Sequence, residues 1–388
     1  MILRPVLLYA VALLMNSSTG VMVVATPLLA IRFGASPLEL GLLGSLGALV
    51  YTLTCPFSGR YSDGYGGSAG RRRSILLACC LLILTDGCIF FVGNLRDIFI
   101  LAVCGCFSTA FFWPPLQAWL AEVGYDRGLS QRLGSFNLSW SLGIMIGPVI
   151  GGYLFGLDYR YPWCYGVSLN ILIVTLLLCT KVRVERPVDP GDGTKRVPTD
   201  GAPAGFWGIS LWANFVCWFS LANVQSIYPK LASMRGFSPE LIGYLLFLIG
   251  ALETVTFFML RRSSFWHYRY LPLAFVHGAA ACGMLLIFGS KSISVLSCAF
   301  PLLGLGLGLS YYSSIYYGLS GRQDRGRRTG IHEFIVGSGF LVGPVTGGAC
   351  AQFIGLRSPF LLCALLMALT AAVEGLLYVR VAVKAKAW

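Results

Sequence analysis

The sequence is poor in charged residues and in long polar segments. Asp, Glu, Lys and Arg together make up 12% of its 388 residues, which is about half the share of an average soluble protein. Outside the segment 181–205, the polar connections between apolar runs are short. These absences exclude an ordinary soluble fold, and they leave no extramembrane domain large enough for an enzyme site or a receptor head.

Several chemical motifs are absent as well. The glycine run Gly304–Gly308 follows no strand pattern and is therefore not a nucleotide-binding loop, so direct use of ATP is excluded. The thirteen cysteines lie in or beside apolar runs, and Cys104 and Cys106 would point to different faces of a helix. We predict no metal site, no cofactor and no disulfide framework. No nucleophile and base converge in the sequence, so we do not expect an enzyme.

Apolar runs of about 20 residues are abundant, and this length crosses a bilayer as an α-helix. They predict an all-α polytopic membrane protein with twelve transmembrane spans, six in each half. We number these spans 1 to 12: 5–31, 37–58, 74–92, 97–121, 135–156, 162–180, 206–231, 238–260, 271–289, 293–318, 331–354 and 359–379. The predicted domains are a first six-helix bundle at 1–180, a linker at 181–205 and a second six-helix bundle at 206–388.

Two sequence repeats indicate that the halves arose by duplication. The stretch "GPVIGG" (Gly147–Gly152) recurs as "GPVTGG" (Gly343–Gly348), 196 positions later. The stretch "TPLLAIRFGASPLELG" (26–41) lines up with "YPKLASMRGFSPELIG" (228–243) at an offset of 202. The chain is therefore predicted to be a tandem duplication of a six-span unit.

The formal net charge of +13 reflects orientation in the membrane. If both termini are cytoplasmic, 22 of the 29 Lys and Arg residues fall in inner segments, which is the expected positive-inside bias. We expect a multi-pass protein of the cell (inner) membrane, with both termini and the 181–205 linker in the cytoplasm. We do not expect a nucleic-acid partner.

Six plus six spans joined by a cytoplasmic linker resemble the major facilitator superfamily of secondary transporters, over essentially the whole chain. The stretch "GRYSD" (59–63) followed by "GRRR" (70–73) is similar to the loop pattern of this family between spans 2 and 3. The glycine motif of span 5 resembles one often seen in antiporters. Two features depart from the pattern: Gly64 stands where an arginine is usual, and span 4 lacks the arginine common among proton-coupled exporters.

The resemblance implies a cytoplasmic latch and a pair of gating helices. Asp63 would lie at the N-terminus of span 11, where the helix carries partial positive charge, with the arginine cluster near the inner end of span 4. The latch residues are Gly59, Asp63, Arg71, Arg72, Arg73 and Glu122. Glycines four apart form a flat stripe, so we expect spans 5 and 11 each to pack tightly against the other half. The gating and packing residues are Gly143, Gly147, Pro148, Gly151, Gly152, Gly339, Gly343, Pro344, Gly347 and Gly348.

Spans 1, 4, 7 and 10 line the central cavity in this family. Polar and aromatic residues on these spans are therefore candidates for the substrate cavity: Asn16, Trp113, Gln117, Asn214, Trp218, Gln225, Tyr312 and Tyr316. Because no arginine or lysine lies in the middle of a span, a neutral, amphipathic or cationic solute fits this cavity better than an anion.

Ionisable residues inside a membrane are costly and therefore indicate function. Glu253 is the predicted proton-coupling residue because it lies deep in span 8, and His277 of span 9 is expected nearby. Asp86 and Glu374 lie within about two turns of a span end, so their side chains are expected to extend toward the interface.

We expect a secondary active transporter that moves a small organic solute by alternating access, with proton-coupled efflux as the leading hypothesis. Uptake of a solute by proton symport is one alternative. A membrane sensor or scaffold that has lost transport is another. The expected partners are the solute, membrane lipid and protons, and we expect a monomer.

Overall fold

The computed structural model describes residues 5–64, 67–122, 129–180, 205–319 and 325–386, and these residues are helical almost throughout, with no strand among them. The α-helices are α1 (Pro5–Arg32), α2 (Pro37–Gly64), α3 (Gly67–Gly87), α4 (Leu95–Ala110), α5 (Trp113–Glu122), α6 (Leu129–Leu157), α7 (Tyr161–Leu178), α8 (Gly205–Met234), α9 (Pro239–Arg261), α10 (Tyr270–Gly289), α11 (Ile293–Leu319), α12 (Arg325–Phe353) and α13 (Ser358–Lys386). Spans 1 to 3 correspond to α1–α3, and spans 5 to 12 correspond to α6–α13. Nearly all of the predicted linker lies outside the described residues.

Span 4 consists of two helices. The chain leaves the α4 helix after Ala110 and resumes as α5 at Trp113, just before Pro114 and Pro115. Proline has no N–H to donate and disfavours helical geometry in the residue before it. The break therefore falls where the two prolines predict it, and α4 and α5 together still form one crossing.

Eleven of the described segments are long and apolar enough to cross a membrane. The helix α8 is not among these eleven, although it has 30 residues. Its polar side chains reduce its hydropathy, and Asn214 and Asn223 are fully buried. Elsewhere in the structure many exposed side chains are apolar, for example those of Ile100 (62% exposed) and Phe275 (69% exposed). This is expected for helices that face lipid.

The chain forms two compact units with similar internal architecture. The first unit consists of Met1–Ser36, Ser45–Gly191 and Gly236–Phe247, and the second consists of Pro37–Gly44, Asp192–Arg235 and Leu248–Trp388. In the first unit α1 packs against α6 and α7, and α3 packs against α4 and α7. In the second unit α8 packs against α11, α12 and α13, and α10 packs against α11 and α13.

The repeated sequences form equivalent turns in the two halves. Gly34 follows α1 with φ of +82°, and Gly236 follows α8 with φ of +77°. Only glycine adopts this left-handed conformation without a steric penalty, which explains why both copies of the repeat carry it.

Candidate functional site

The predicted glycine stripe of α6 packs against α1, within the same half of the sequence. A Cβ atom at Gly147 would lie 2.6 Å from the Cα of Gly20, and one at Gly143 would lie 2.6 Å from the carbonyl oxygen of Leu13. Such distances leave no room for a side chain, so the two backbones are in direct contact. The stripe itself therefore faces its own half of the sequence, and α6 meets the other half through a different face.

The glycine stripe of α12 likewise packs against a helix of its own half, α8. A Cβ atom at Gly343 would lie 2.6 Å from the carbonyl oxygen of Phe219, and Gly339 and Gly347 approach Trp218 and Asn223 of α8. Residues four apart share one face of a helix, and this face is occupied by the first long helix of the same half.

A second face of each motif meets the other sequence repeat. Within the first unit, a Cβ atom at Gly152 would lie 3.1 Å from the carbonyl carbon of Pro239, and Gly243 lies against Pro148. Positions 148 and 152 are one residue past the stripe, about 100° around the helix. The "GPVIGG" copy therefore pairs with the "SPELIG" segment of 238–243.

The second unit repeats this pairing with the roles exchanged. A Cβ atom at Gly348 would lie 2.7 Å from the carbonyl oxygen of Pro37, and Gly41 lies against Pro344. The "GPVTGG" copy therefore pairs with the "SPLELG" segment of 36–41. Both sequence repeats are explained together, because each provides the contact surface for the other.

The candidates for the substrate cavity in the first unit have structural partners. Asn16 is buried, and its Nδ2 donates to the carbonyl oxygen of Trp140 at 2.8 Å, which joins α1 to α6. Trp113 belongs to the hydrophobic core and packs edge-to-face against Phe136. Gln117 is exposed on α5. Asn16 and Trp113 therefore have packing contacts within the first unit, whereas Gln117 is exposed.

In the second unit Trp218 is the centre of an aromatic cluster. Its Nε1 donates to Oδ1 of Asn214 at 3.0 Å. Its ring lies 5.9 Å from the ring of Tyr311 and 5.2 Å from that of Phe340. The half-buried Gln225 lies on the same helix. Tyr311 was not predicted, although it directly precedes the predicted Tyr312.

The predicted pair Tyr312 and Tyr316 lies elsewhere in the second unit. Both rings contact Trp266, in the connection between α9 and α10, at centroid distances of 5.6 and 5.0 Å. Tyr316 also stacks on His267 at 4.4 Å. The structure therefore does not bring these tyrosines together with Trp218.

Glu253 and His277 are both buried, but they face opposite sides of α11. A Cβ atom at Gly304 would lie 3.0 Å from the backbone nitrogen of Glu253, so this face of α11 contacts α9. Ser310 binds His277 from the other face, since six residues along a helix amount to about 240° of rotation. The expectation that His277 lies near Glu253 is wrong.

Glu374 is the acidic partner of His277. Its Oε2 lies 2.8 Å from Nδ1 of His277, and Nε2 of His277 lies 2.8 Å from Oγ of Ser310. Both members of the pair are 0% exposed. Asp86 is also buried, beside Gly166 of α7. The expectation that Glu374 and Asp86 extend to the interface is wrong, because neighbouring helices enclose both side chains.

Glu253 differs from Glu374 in that no side chain in the described ranges forms an ion pair with it. Its side chain is 4% exposed, and its Oε1 is buried without a hydrogen bond in the described part of the chain. His332 is a further buried group that the sequence did not single out. Its Nδ1 lies 2.7 Å from Oγ of Ser314, while its Nε2 has no partner among the described residues.

The predicted latch, with Asp63 at the N-terminus of span 11, stays a prediction. In the structure Asp63, at the end of α2, forms an ion pair with Arg71, at the start of α3, and the side chain of Asp63 is 65% exposed. Arg72 donates to the carbonyl oxygen of Leu178 at 3.3 Å. The side chain of Glu122 lies outside the described residues.

Comparison with known proteins identifies the family. The model of the Major Facilitator Superfamily matches residues 7–321. The chain belongs to this superfamily. The resemblance predicted from the spans and loop motifs is thereby confirmed, as is the all-α membrane fold, in which eleven of the described segments are long and apolar enough to cross a membrane.

Among the curated relatives of this major facilitator protein are drug-resistance proteins. "Multidrug resistance protein 2" of Bacillus subtilis is 22% identical over 342 residues, which cover 84% of this chain and 83% of the relative. "Quinolone resistance protein NorA" of Staphylococcus aureus is 21% identical over 340 residues, covering 85% of each chain.

Solved structures with the same fold include two other kinds of transporter. A bacterial homologue of the human lysosomal transporter Spinster, in an inward-facing and unoccupied conformation, matches with a TM-score of 0.69 and 16% identity, covering 96% of this chain and 95% of that one. The nucleoside transporter NupG matches with a TM-score of 0.71 and 11% identity, covering 96% and 98%. These likenesses concern the fold alone. As a major facilitator protein, the chain is an integral multi-pass membrane transporter of small molecules and not an enzyme.

Proposed function

We propose that this transporter exports small lipophilic organic compounds, neutral or cationic, in exchange for protons. The named drug-resistance relatives support export, although their identity to this chain is near 20%. The observation that carries proton coupling is the buried carboxyl group of Glu253, whose Oε1 lacks a partner in the described residues.

The argument for a proton rests on the energy of burying charge. An unpaired carboxylate is very costly in apolar surroundings, whereas a protonated carboxyl is far less so. Glu253 would therefore take up a proton when its surroundings exclude water and release it when water returns. Alternating access provides such a cycle, and Glu253 lies on α9, beside the bendable glycine positions Gly304 and Gly308 of α11.

The preference for neutral or cationic compounds follows from the second unit. Trp218, Tyr311 and Phe340 form a continuous aromatic surface, and aromatic faces attract both apolar rings and cations. No arginine or lysine is found among the buried residues of the described ranges, so an anionic solute would have no countercharge there.

Transport into proteoliposomes with an imposed pH gradient tests this proposal. We expect a fluorescent planar organic cation to accumulate when the lumen is acidic and to be released by a proton ionophore. Glu253→Gln keeps the shape of the side chain but cannot carry a proton. It should abolish gradient-driven accumulation while leaving exchange of the cation at equal pH.

The matched control is Glu240→Gln, which makes the same chemical change at an exposed position of the same helix. This variant should accumulate the cation like the unaltered protein. Accumulation in the opposite direction would indicate symport, and the absence of any flux would indicate a sensor or scaffold. Full accumulation by Glu253→Gln would assign the coupling to another group.

A further inference from the structure

A cavity of about 380 Å³ lies at one end of the second unit, beside the connection between α9 and α10. Its volume is within the range of about 300–1,000 Å³ that is usual for small-molecule sites. The residues that matter for its chemistry are Arg261, Arg262, Trp266, His267, Tyr312 and Tyr316. The apolar span of α9 ends at Arg261 and that of α10 begins at Tyr270, so the cavity lies at the boundary of the apolar region.

The connection that borders the cavity is held in a fixed conformation. Trp266 is 1% exposed, and its Nε1 donates to the carbonyl oxygens of Ser263 (3.0 Å) and Leu260 (3.3 Å) at the end of α9. The hydroxyl of Tyr317 donates to the carbonyl oxygen of Trp266 and accepts from the backbone N–H of Tyr268. Because these contacts order the connection before any ligand arrives, binding there costs little conformational entropy.

Tyr268 shows that this conformation is imposed by its surroundings. Its φ is +52°, and no other non-glycine residue that the structure describes has a positive φ. A left-handed conformation is unfavourable for a bulky side chain, and such residues cluster at ligand-binding sites.

The two arginines at the cavity have no acidic partner in the part of the chain that the structure describes, and the guanidinium of Arg262 lies over the ring of Phe258, 4.2 Å from its centroid. Neither Arg261 nor Arg262 forms an ion pair within the described ranges, and both are exposed. In the first half, by contrast, Arg71 pairs with Asp63. The positive charge at this cavity is therefore available to an anion.

The remaining groups suit a ligand with a polar head and a carbon skeleton. His267 lies over the ring of Tyr316, and its Nδ1 is 3.4 Å from the tyrosine hydroxyl. Burial lowers the pKa of His267 from its usual value, so the imidazole is neutral at pH 7 and offers Nε2 for a hydrogen bond. The rings of Tyr312 and Tyr316 provide an apolar surface beside the two guanidinium groups.

We propose that this cavity binds the phosphate group of an anionic ligand, either the headgroup of a phospholipid or a soluble phosphate ester. Guanidinium groups present planar pairs of N–H donors that match phosphate oxygens, and paired hydrogen bonds of this kind are strong. A basic pocket at the end of membrane helices, with an adjoining apolar surface, is also the arrangement that receives phospholipid headgroups. The residues that line the cavity include neither Glu253 nor Trp218.

Binding to the purified full-length protein tests the proposal. Native mass spectrometry would compare phosphatidylglycerol with phosphatidylcholine, first alone and then with glycerol 3-phosphate or inorganic phosphate as competitor. We expect phosphatidylglycerol to bind more tightly than phosphatidylcholine. Arg261→Gln and Arg262→Gln should each weaken it about fivefold, and the double variant about 25-fold, because each basic residue near the surface contributes a similar increment.

The control is the double variant Arg269→Gln/Arg380→Gln, which removes the same charge from the second unit outside the cavity and should bind like the unaltered protein. Competition by glycerol 3-phosphate would identify a soluble ester as an alternative ligand, and its absence would identify a lipid site. The proposal would be overturned if the Arg261/Arg262 double variant bound phosphatidylglycerol as tightly as the unaltered protein. It would also be overturned if the control variant lost as much affinity as the Arg261/Arg262 double variant. If the double variant does not fold, the two single variants provide the same comparison with the unaltered protein.

Discussion

At the residue scale, His277 and Glu374 form a fully buried pair of ionisable side chains. Both are fully enclosed, and Ser310 occupies the second ring nitrogen of His277. Oε1 of Glu374 has no partner in the described part of the chain. Removing one member of such a pair leaves the other buried without compensation, which costs far more than removing both.

We therefore predict strong coupling between these two side chains. His277→Ala and Glu374→Ala should each lower the free energy of unfolding by about 3–5 kcal/mol. The double variant should lose clearly less than the sum, because neither charge then remains unpaired. Thermal and chemical unfolding of the detergent-solubilised protein would measure the cycle. Glu240→Gln, which removes a charge at an exposed position and keeps the side chain that lies against Gly156, is the control and should change little. Additive losses would contradict the coupling.

The sequence predicted that ionisable residues in the spans matter, but it did not predict how they are paired. Glu253 and His277 are separated by 24 positions and Glu374 by nearly 100 more, so no local spacing links them. Their pairing depends on which face of α11 each neighbouring helix contacts. For the same reason Tyr312 and Tyr316 were grouped with Trp218, although the rotation of α11 directs Tyr311 toward it.

At the element scale, each glycine-proline motif has two functions on two faces of one helix. Gly147 and Gly343 allow contact with the first long helix of the same half. Pro148 and Pro344 face the opposite sequence repeat instead. The periodicity predicted a stripe of small residues correctly. It could not predict the partner, because any helix with a matching small or backbone surface would satisfy the same spacing.

Adding one methyl group to the stripe should therefore be harmful. In Gly147→Ala the new Cβ would lie 2.6 Å from the backbone of Gly20, and in Gly343→Ala 2.6 Å from the oxygen of Phe219. We expect each variant to lose about 1–3 kcal/mol of stability through overpacking, with a lower melting temperature and slower transport. Gly105→Ala is the control, since nothing lies within 4 Å of that position. It should be neutral or slightly stabilising because alanine favours a helix. Equal melting temperatures for all three variants would show that the stripe tolerates side chains.

At the scale of the whole molecule, duplication explains features that neither half explains alone. The segment 37–44 belongs to the second unit and the segment 236–247 to the first, so each half contributes one short segment to the unit formed mainly by the other. The sequence predicted two six-helix bundles, and the repeats indicated their equivalence. The exchange of segments could not be predicted. Each motif occurs twice with nearly the same sequence, so the sequence does not specify which GPVIGG-type copy contacts which SPELIG-type copy.

The orientation of the chain supplies a final test, which also decides whether α8 crosses the membrane. With α4 and α5 forming one crossing, the helices make twelve crossings if α8 is included and eleven if it is not. An even number places both termini on one side, and the positive-inside bias makes that side the cytoplasm.

We expect a fluorescent protein that matures only in the cytoplasm to be bright when fused after Trp388. Alkaline phosphatase inserted at Lys291, between α10 and α11, should be active because this loop is then external. If the fluorescent protein were bright when fused before Met1 but dark when fused after Trp388, the chain would cross an odd number of times. The buried polar helix α8 would then be the crossing to discard.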